Sequence, residues 1–149
     1  MHKIRGWLYI GNFADTMDTA LLRGHNIGAI LQLAGHSKPP GMTILHLPVT
    51  DGESQTPENL DRGIAFIRAQ KAEGKIVMSA CAAGISRSTT YALGALKAEE
   101  GGSLLDLLMD IKRHHPHALP HIRLWHSLGA YYDEAIPYQQ IWTAKRKRR

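Results

Sequence analysis

Short apolar runs bounded by turn residues alternate along this chain with longer stretches of helical repeat, the pattern of a sheet covered by helices. Ile4 to Ile10, carrying Trp7 and Tyr9 and closed by Gly11-Asn12, reads as an edge strand. Asp15, with Asp18 at the third helical position, is expected to cap a helix whose stripe is Met17, Leu21 and Leu22 and which ends at Gly24. Ala29 to Leu33 fits a buried parallel strand, Gly35 to Gly41 a loop, and Met42 to Leu47 a further strand stopped by Pro48. Thr56 and Pro57 supply the N-cap and first-turn proline of a helix that buries Leu60, Ile64 and Ile67 and ends near Glu73-Gly74.

The C-terminal third is helical by the same test. Ser103-Leu104-Leu105-Asp106 reads as a capping box, with Leu104, Leu107, Leu108 and Ile111 on one face until the break near His115-Pro116. Pro120 is expected to start the last helix, with Ile122, Trp125, Leu128, Tyr132 and Ile136 as its core-facing stripe and Pro137 as its end. The most economical architecture is α/β: a short, mostly parallel sheet with helices on both faces.

Between these halves lies the stretch that carries chemistry. The apolar run Ile76 to Ala80 stops at Cys81, the small-residue turn Ala82-Ala83-Gly84-Ile85-Ser86 follows, and Arg87-Ser88 opens a segment with few helix breakers as far as Glu100. The turn therefore reads as a tight loop between a strand and a helix, the setting of a phosphate-binding loop. Unpaired N–H groups and the dipole at a helix N-terminus favour negative charge, so a thiolate and an oxyanion suit the same cradle. Arg87, six positions after Cys81, is placed to fold back and clamp two oxygens, Gly84 permits the curl, and Ser88 offers a hydroxyl to the sulfur. The residues describe a thiolate nucleophile aimed at a tetrahedral phosphate, held by Arg87 and the amides of Ala82, Ala83, Gly84, Ile85 and Ser86. A lone cysteine at a strand end also serves as a small buried hydrophobe; the Cys-x5-Arg-Ser spacing favours catalysis. A Walker-type loop needs a lysine after its glycines, and none lies between Lys75 and Lys97.

Cleavage of a phosphate ester also needs a proton for the departing oxygen. Asp51 follows a strand in a glycine-bearing loop, 30 positions before Cys81, with one helix and one strand between them. In a parallel sheet that brings both to the same carboxyl edge of neighbouring strands. Glu53 is the rival donor, and a turn-forming role for Asp51 is the alternative. His36 and Lys38 sit in a loop that can line the mouth of an anion site, although a solvated loop is the commoner use. His114, His115, His117 and His121 are interrupted by two prolines and joined by no cysteine, a poor pattern for zinc.

Composition narrows the class. The 149 residues suit one domain, expected over 1–144, and 44% hydrophobic with 21% charged residues is ordinary for a globular protein. The net charge of +5 is carried by Lys145, Arg146, Lys147, Arg148 and Arg149; the remaining thirteen basic side chains face thirteen acidic ones. This basic tail, 145–149, can hold nucleic acid, anionic lipid or an acidic protein by charge, or serve only as a solubilising terminus. No run reads as a membrane span or a signal peptide. One cysteine excludes an intrachain disulfide, and a reducing, cytoplasmic setting suits a thiol that must stay free.

Cys81, Arg87 and Ser88, with Ala83-Gly84-Ile85-Ser86 inside the loop, resemble the His-Cys-x5-Arg-Ser/Thr signature of the cysteine-dependent protein phosphatases, the dual-specificity group in particular. Trp7 to Gly11, Ala14-Asp15, Leu22 and Ile27 to Leu31 resemble the opening of those domains, and the likeness extends over about residues 4 to 136. Two departures stand out. Ala80 replaces the histidine before the nucleophile, which usually helps fix the loop and tune the thiol. His115-Pro116 and Pro120-His121 replace Arg-Pro and Pro-Asn.

The resemblance implies that Asp51 is the general acid and that no cofactor or metal is used. It implies a phosphorylated protein or peptide substrate, phosphotyrosine first and phosphoserine or phosphothreonine besides. The lack of lysine in the loop argues against a phosphoinositide phosphatase, and an RNA 5′-triphosphatase is raised only by the tail. Ala80 raises another class, a weak or inactive phospho-binding module. Rhodanese-like sulfur transfer or arsenate reduction would leave Asp51 without a duty.

Overall fold

A computed structural model of the chain describes residues 1–141. Its strands β1 (His2–Arg5), β2 (Leu8–Asn12), β3 (Ile27–Gln32), β4 (Thr43–His46) and β5 (Ile76–Cys81) form one sheet in the order β1-β2-β5-β3-β4. β5 is central, paired in parallel with β2 and β3, and β4 is parallel to β3; β1 alone runs antiparallel, against β2. The helices are α1 (Phe13–Thr16), α2 (Thr19–Gly24), α3 (Pro57–Ala72), α4 (Arg87–Glu100), α5 (Leu104–His114) and α6 (Ile122–Tyr131).

Alternation along the strands builds two cores. Leu8, Ile10, Ala29, Leu31, Val77 and Cys81 join the larger core with residues of α3, α4, α5 and α6. Tyr9, Ile27, Ile30, Met78 and Ala80 join Leu22 of α2 in the smaller one. Both faces are thus covered, which is why the strands read as nearly continuous apolar runs. α4 lies deepest: Ser88 to Leu96 are all buried, including Ser88, Thr89 and Thr90. No helix among the described residues is long and apolar enough to cross a membrane. The basic run Lys145–Arg149 lies outside the described residues.

Thr56 caps α3 by accepting from the Asn59 amide at 3.1 Å, and Ser103 caps α5 by accepting from Asp106 N at 3.1 Å. The reciprocal half of the expected box on α5 is not among the bonds of the described residues. Elsewhere local patterns divide differently. Ile4 to Ile10 is a hairpin rather than one strand, because Gly6 and Trp7 turn the chain between β1 and β2. The expected first helix is two: Asn12 caps α1 with Asp15 as its reciprocal partner, and Asp18 caps α2. Met17, at the junction, is 62% exposed rather than core. The last helix starts after its N-cap His121, not at Pro120, and ends at Tyr131; Tyr132 and Ile136 pack on the core from beyond it, and Ile122 is exposed.

α3 and α4 approach closely through glycine. A Cβ on Gly63 would lie 2.3 Å from the Tyr91 ring, and one on Gly94 2.5 Å from Ile64. Tyr91 is fully buried and its hydroxyl donates to Gln55 Oε1 at 2.9 Å, so the ring has no room to retreat. Gly63→Ala should therefore cost about 1–3 kcal/mol of stability by overpacking. A urea midpoint equal to that of the parent protein would show that the interface has slack.

Candidate active site

β5 delivers Cys81, 2% exposed, to the carboxyl edge of the sheet, and α4 begins six residues on. Around this turn the carbonyls point away. Ala80 O accepts from Leu33 N at 2.9 Å, Ala82 O from Phe13 N at 3.3 Å, Gly84 O from His115 Nε2 at 2.6 Å, and Ile85 O from Leu119 N at 3.1 Å. Ser86 O accepts both Thr90 N and Thr90 Oγ1. The amides of residues 82–86 donate to nothing among the described residues, and Ser86, the N-cap of α4, makes no side-chain cap bond. The loop and the first turn of α4 thus present a set of unpaired N–H donors beside the sulfur.

Gly84 makes the curl possible. It sits at φ +71°, and a Cβ there would lie 2.9 Å from the backbone oxygen of Gly11 at the end of β2.

The side chains complete the arrangement. Cys81 Sγ and Ser88 Oγ are 3.2 Å apart. A thiol donates in that contact, whereas a thiolate accepts a hydrogen bond from the serine hydroxyl. Ser79 Oγ donates to Ser88 O at 2.9 Å in the buried interior, tying β5 to the first turn of α4. Arg87 Nη1 donates to Val49 O at 2.8 Å, which anchors the guanidinium. Its Nε is buried without a partner among the described residues.

Asp51 reaches the loop through Ser86, whose hydroxyl donates to Asp51 Oδ1 at 2.9 Å and accepts from His121 N at 2.9 Å. The loop that carries Asp51 is pinned on its far side: Gln55 N donates to Ser127 Oγ at 2.9 Å, while Gln55 Oε1 accepts the Tyr91 hydroxyl. Burial raises the Tyr91 pKa and keeps that donor protonated. Asp51 and Cys81 share the carboxyl edge, but not on neighbouring strands as the spacing suggests. Asp51 follows β4, and β3 lies between β4 and β5.

The structure thus gathers Cys81, Arg87, Ser88, Ser86 and Asp51 around one turn. Ala82, Ala83 and Ile85 are exposed along it and contribute no polar side chain, so an anion is left to the backbone and Arg87. Ala80 is 1% exposed within the smaller core. Glu53 and Lys38 make no side-chain bond to the loop among the described residues, and His36 instead faces His46, with ring centroids 4.6 Å apart. The four histidines scatter: His114 and His117 are exposed, His115 is buried against Gly84, and His121 Nδ1 accepts Arg123 N to cap α6. Among the described residues no three His, Cys, Asp or Glu side chains group as a metal site.

Neither Ser79 nor the contact of His115 with the loop is expected from the motif; His115 stands in the sequence only as one of the four histidines and in place of the family's arginine. A serine two residues before the cysteine, on the same strand face, is the local sign for Ser79. His115, 31 residues beyond Gly84, has none.

Comparison with known proteins agrees with this geometry. The family model described as "Dual specificity phosphatase, catalytic domain" matches residues 8–134. Dual specificity protein phosphatase 22 of Xenopus tropicalis is 38% identical over 93 residues, which cover 60% of this chain and 44% of that protein. The chain thus spans less than half the length of that relative. Human DUSP28 has the same fold, with a TM-score of 0.83 at 21% identity over 89% of this chain and 96% of that one. The crystal structure of DUSP15 matches with a TM-score of 0.78 at 27% identity, over 99% and 95% of the two chains.

The role of Gly84 is open to test. Gly84→Ala should displace the loop from the Gly11 carbonyl and weaken sulfate binding by about tenfold or more, given the strain of a non-glycine residue at positive φ. Calorimetric titration with sulfate measures it, and an unchanged affinity would show that the curl tolerates a side chain.

Proposed function

This chain belongs to the dual specificity phosphatase catalytic-domain family, and on that premise we propose that it hydrolyses phosphotyrosine, and phosphoserine or phosphothreonine besides, on protein or peptide substrates through a cysteinyl-phosphate. The observation that carries the reading is the turn after Cys81: five successive amides without partners among the described residues, with the carbonyls of Ala82, Gly84, Ile85 and Ser86 tied outward, next to an Arg87 whose Nε is buried and unpartnered. Such a ring of fixed donors suits a phosphoryl group whose charge spreads over three oxygens during transfer.

In the proposed reaction the Cys81 thiolate forms the S–P bond as the ester P–O bond breaks on the opposite side. Asp51 gives its proton to the departing oxygen. Water then attacks the cysteinyl-phosphate, its proton passes to the Asp51 carboxylate, and the S–P bond breaks to return the thiolate and release phosphate. Ser88, 3.2 Å from the sulfur, donates a hydrogen bond to the leaving thiolate. Arg87 and the amides of Ala82, Ala83, Gly84, Ile85 and Ser86 hold the phosphoryl oxygens throughout. The Ser86–Asp51 bond supports the acid assignment, since it links the proton donor to the same loop that holds the phosphate. A reducing compartment such as the cytoplasm keeps Cys81 competent. The basic run Lys145–Arg149 adds a charge-based contact to an acidic protein, nucleic acid or anionic lipid.

A phospho-binding module without turnover is the second reading, favoured by the carbon side chain at Ala80. Cys81→Ser separates the two. Turnover of an aryl phosphate that vanishes in this variant supports the enzyme, and stoichiometric phosphopeptide binding by the parent protein without turnover supports the module.

Asp51→Asn should slow hydrolysis of phenyl phosphate by about 10²–10⁴-fold and of esters with good leaving groups far less, as expected when a proton donor is lost. Equal losses for both classes would reject Asp51 as the acid.

A further inference from the structure

We propose that His115 is a pH-sensitive positioning residue of the phosphate loop: its neutral imidazole holds the Gly84 carbonyl outward, and a protonated ring, whose second N–H has no acceptor among the described residues in that buried site, leaves it, so that the hold is lost and the grip on the oxyanion weakens. The inference rests on the phosphate-binding reading of the loop. It concerns a residue that touches neither substrate nor the reacting sulfur.

The hydrogen-bond inventory sets the tautomer. A carbonyl only accepts, so the 2.6 Å contact with Gly84 O requires the proton on Nε2. In the neutral ring Nδ1 then carries a bare lone pair. Nδ1 is buried and has no partner among the described residues, and His115 as a whole is 4% exposed. A second proton would create an N–H with no acceptor in a site closed to water, the costly half of the hydrogen-bond asymmetry.

The neighbours oppose that proton as well. From β1, the His2 ring stacks on His115 with centroids 3.8 Å apart and planes within 7°. From α5, Lys112 Nζ donates to the carbonyls of Pro116 and Ala118 on the segment that carries His115. His117 adds to the repulsion from the same segment. The acids on the adjoining elements are engaged elsewhere: Asp15 with the N-terminal ammonium at 3.3 Å, and Glu100 and Asp110 with Arg5. Burial first, and the charge repulsion that a proton on His115 would meet from His2, His117 and Lys112 after it, hold His115 below the usual imidazole range despite the opposing bond to Gly84.

The sign follows. A folded-state pKa below the unfolded one means that the hold is fully present above the ordinary imidazole pKa and is lost as pH falls toward the depressed value.

Gly84 is where such a hold matters. The Gly11 carbonyl lies where a Cβ on Gly84 would stand, and the Gly84 carbonyl is fixed by His115. Releasing that bond lets the Gly84–Ile85 peptide rotate, and that peptide carries an amide meant for the anion. Ala80 offers no polar side chain to brace the loop from the smaller core.

Sulfate keeps its two charges from about pH 5 to about pH 7.5, so it probes the loop without titrating itself. The measurement is sulfate affinity by calorimetry at those two pH values in Cys81→Ser protein, where the thiolate charge is absent. His115 is compared with H115A, which has no donor, and H115Q, whose amide donates but does not titrate. At the higher pH, H115A should bind about fivefold more weakly than the His115 protein, and H115Q within about twofold of it. On acidification the affinity of the His115 protein relative to H115Q should fall by about threefold or more, while effects common to both proteins cancel in that ratio.

Equal affinities for all three proteins, or an H115Q as weak as H115A at both pH values, would overturn the proposal. Should H115A fail to fold, the His115 and H115Q pair decides alone, and a ratio that does not change with pH overturns it. Failure of the His115 protein to bind sulfate at all would instead overturn the phosphate-binding reading.

Discussion

Amides that converge on one point must have carbonyls that are satisfied somewhere else. The turn after Cys81 depends on that constraint, and much of the surrounding fold meets it. The partners come from five places: Leu33 after β3, Phe13 at the start of α1, His115 and Leu119 between α5 and α6, and Thr90 within α4. Each bond holds one carbonyl against the protein, and the amides of residues 82–86 are left without partners among the described residues. An unmade bond would leave a buried carbonyl to compete for the same space. The donors are therefore oriented by the fold in advance and need little rearrangement when charge arrives.

The sulfur is placed by a second chain of contacts inside the larger core. Ser79 holds the Ser88 backbone, Ser88 holds the Cys81 sulfur, and all three are buried between β5 and α4. α4 itself is enclosed on every side from Ser88 to Leu96, so its N-terminus has little freedom to move away from the strand. Close approach of α3 to α4 at Gly63 and Gly94 belongs to the same requirement. Packing far from the turn thus fixes the height at which the thiol stands against the amides.

The proposed proton transfer would be coupled to this frame through Ser86. One hydroxyl joins the Asp51 carboxylate, the backbone of His121 and the loop, so the proposed acid, the start of α6 and the turn share a residue. Gln55 fastens the other side of the Asp51 loop to α4 and to Ser127. Asp51 is thus tethered by bonds on both sides of its loop while it stays exposed.

What the sequence determined by itself was local. The Cys81 to Arg87 spacing, the glycine at 84, the caps at Thr56 and Ser103 and the two-faced burial of the strands all depend on residues a few positions apart, so period and turn chemistry expose them. Tertiary structure decided the rest. A hairpin and a single strand share one alternation, which left the break at Gly6-Trp7 hidden, and Asn12, Asp15 and Asp18 are all competent caps until packing selects among them. Strand order put β3 between the strand before Asp51 and the strand of Cys81. Ile122 fits a helical stripe, yet it lies at the exposed start of α6. His115 meets Gly84 only because α5, the loop after it and β1 come together there, and a contact made across 31 residues imposes no period on the chain that bears it.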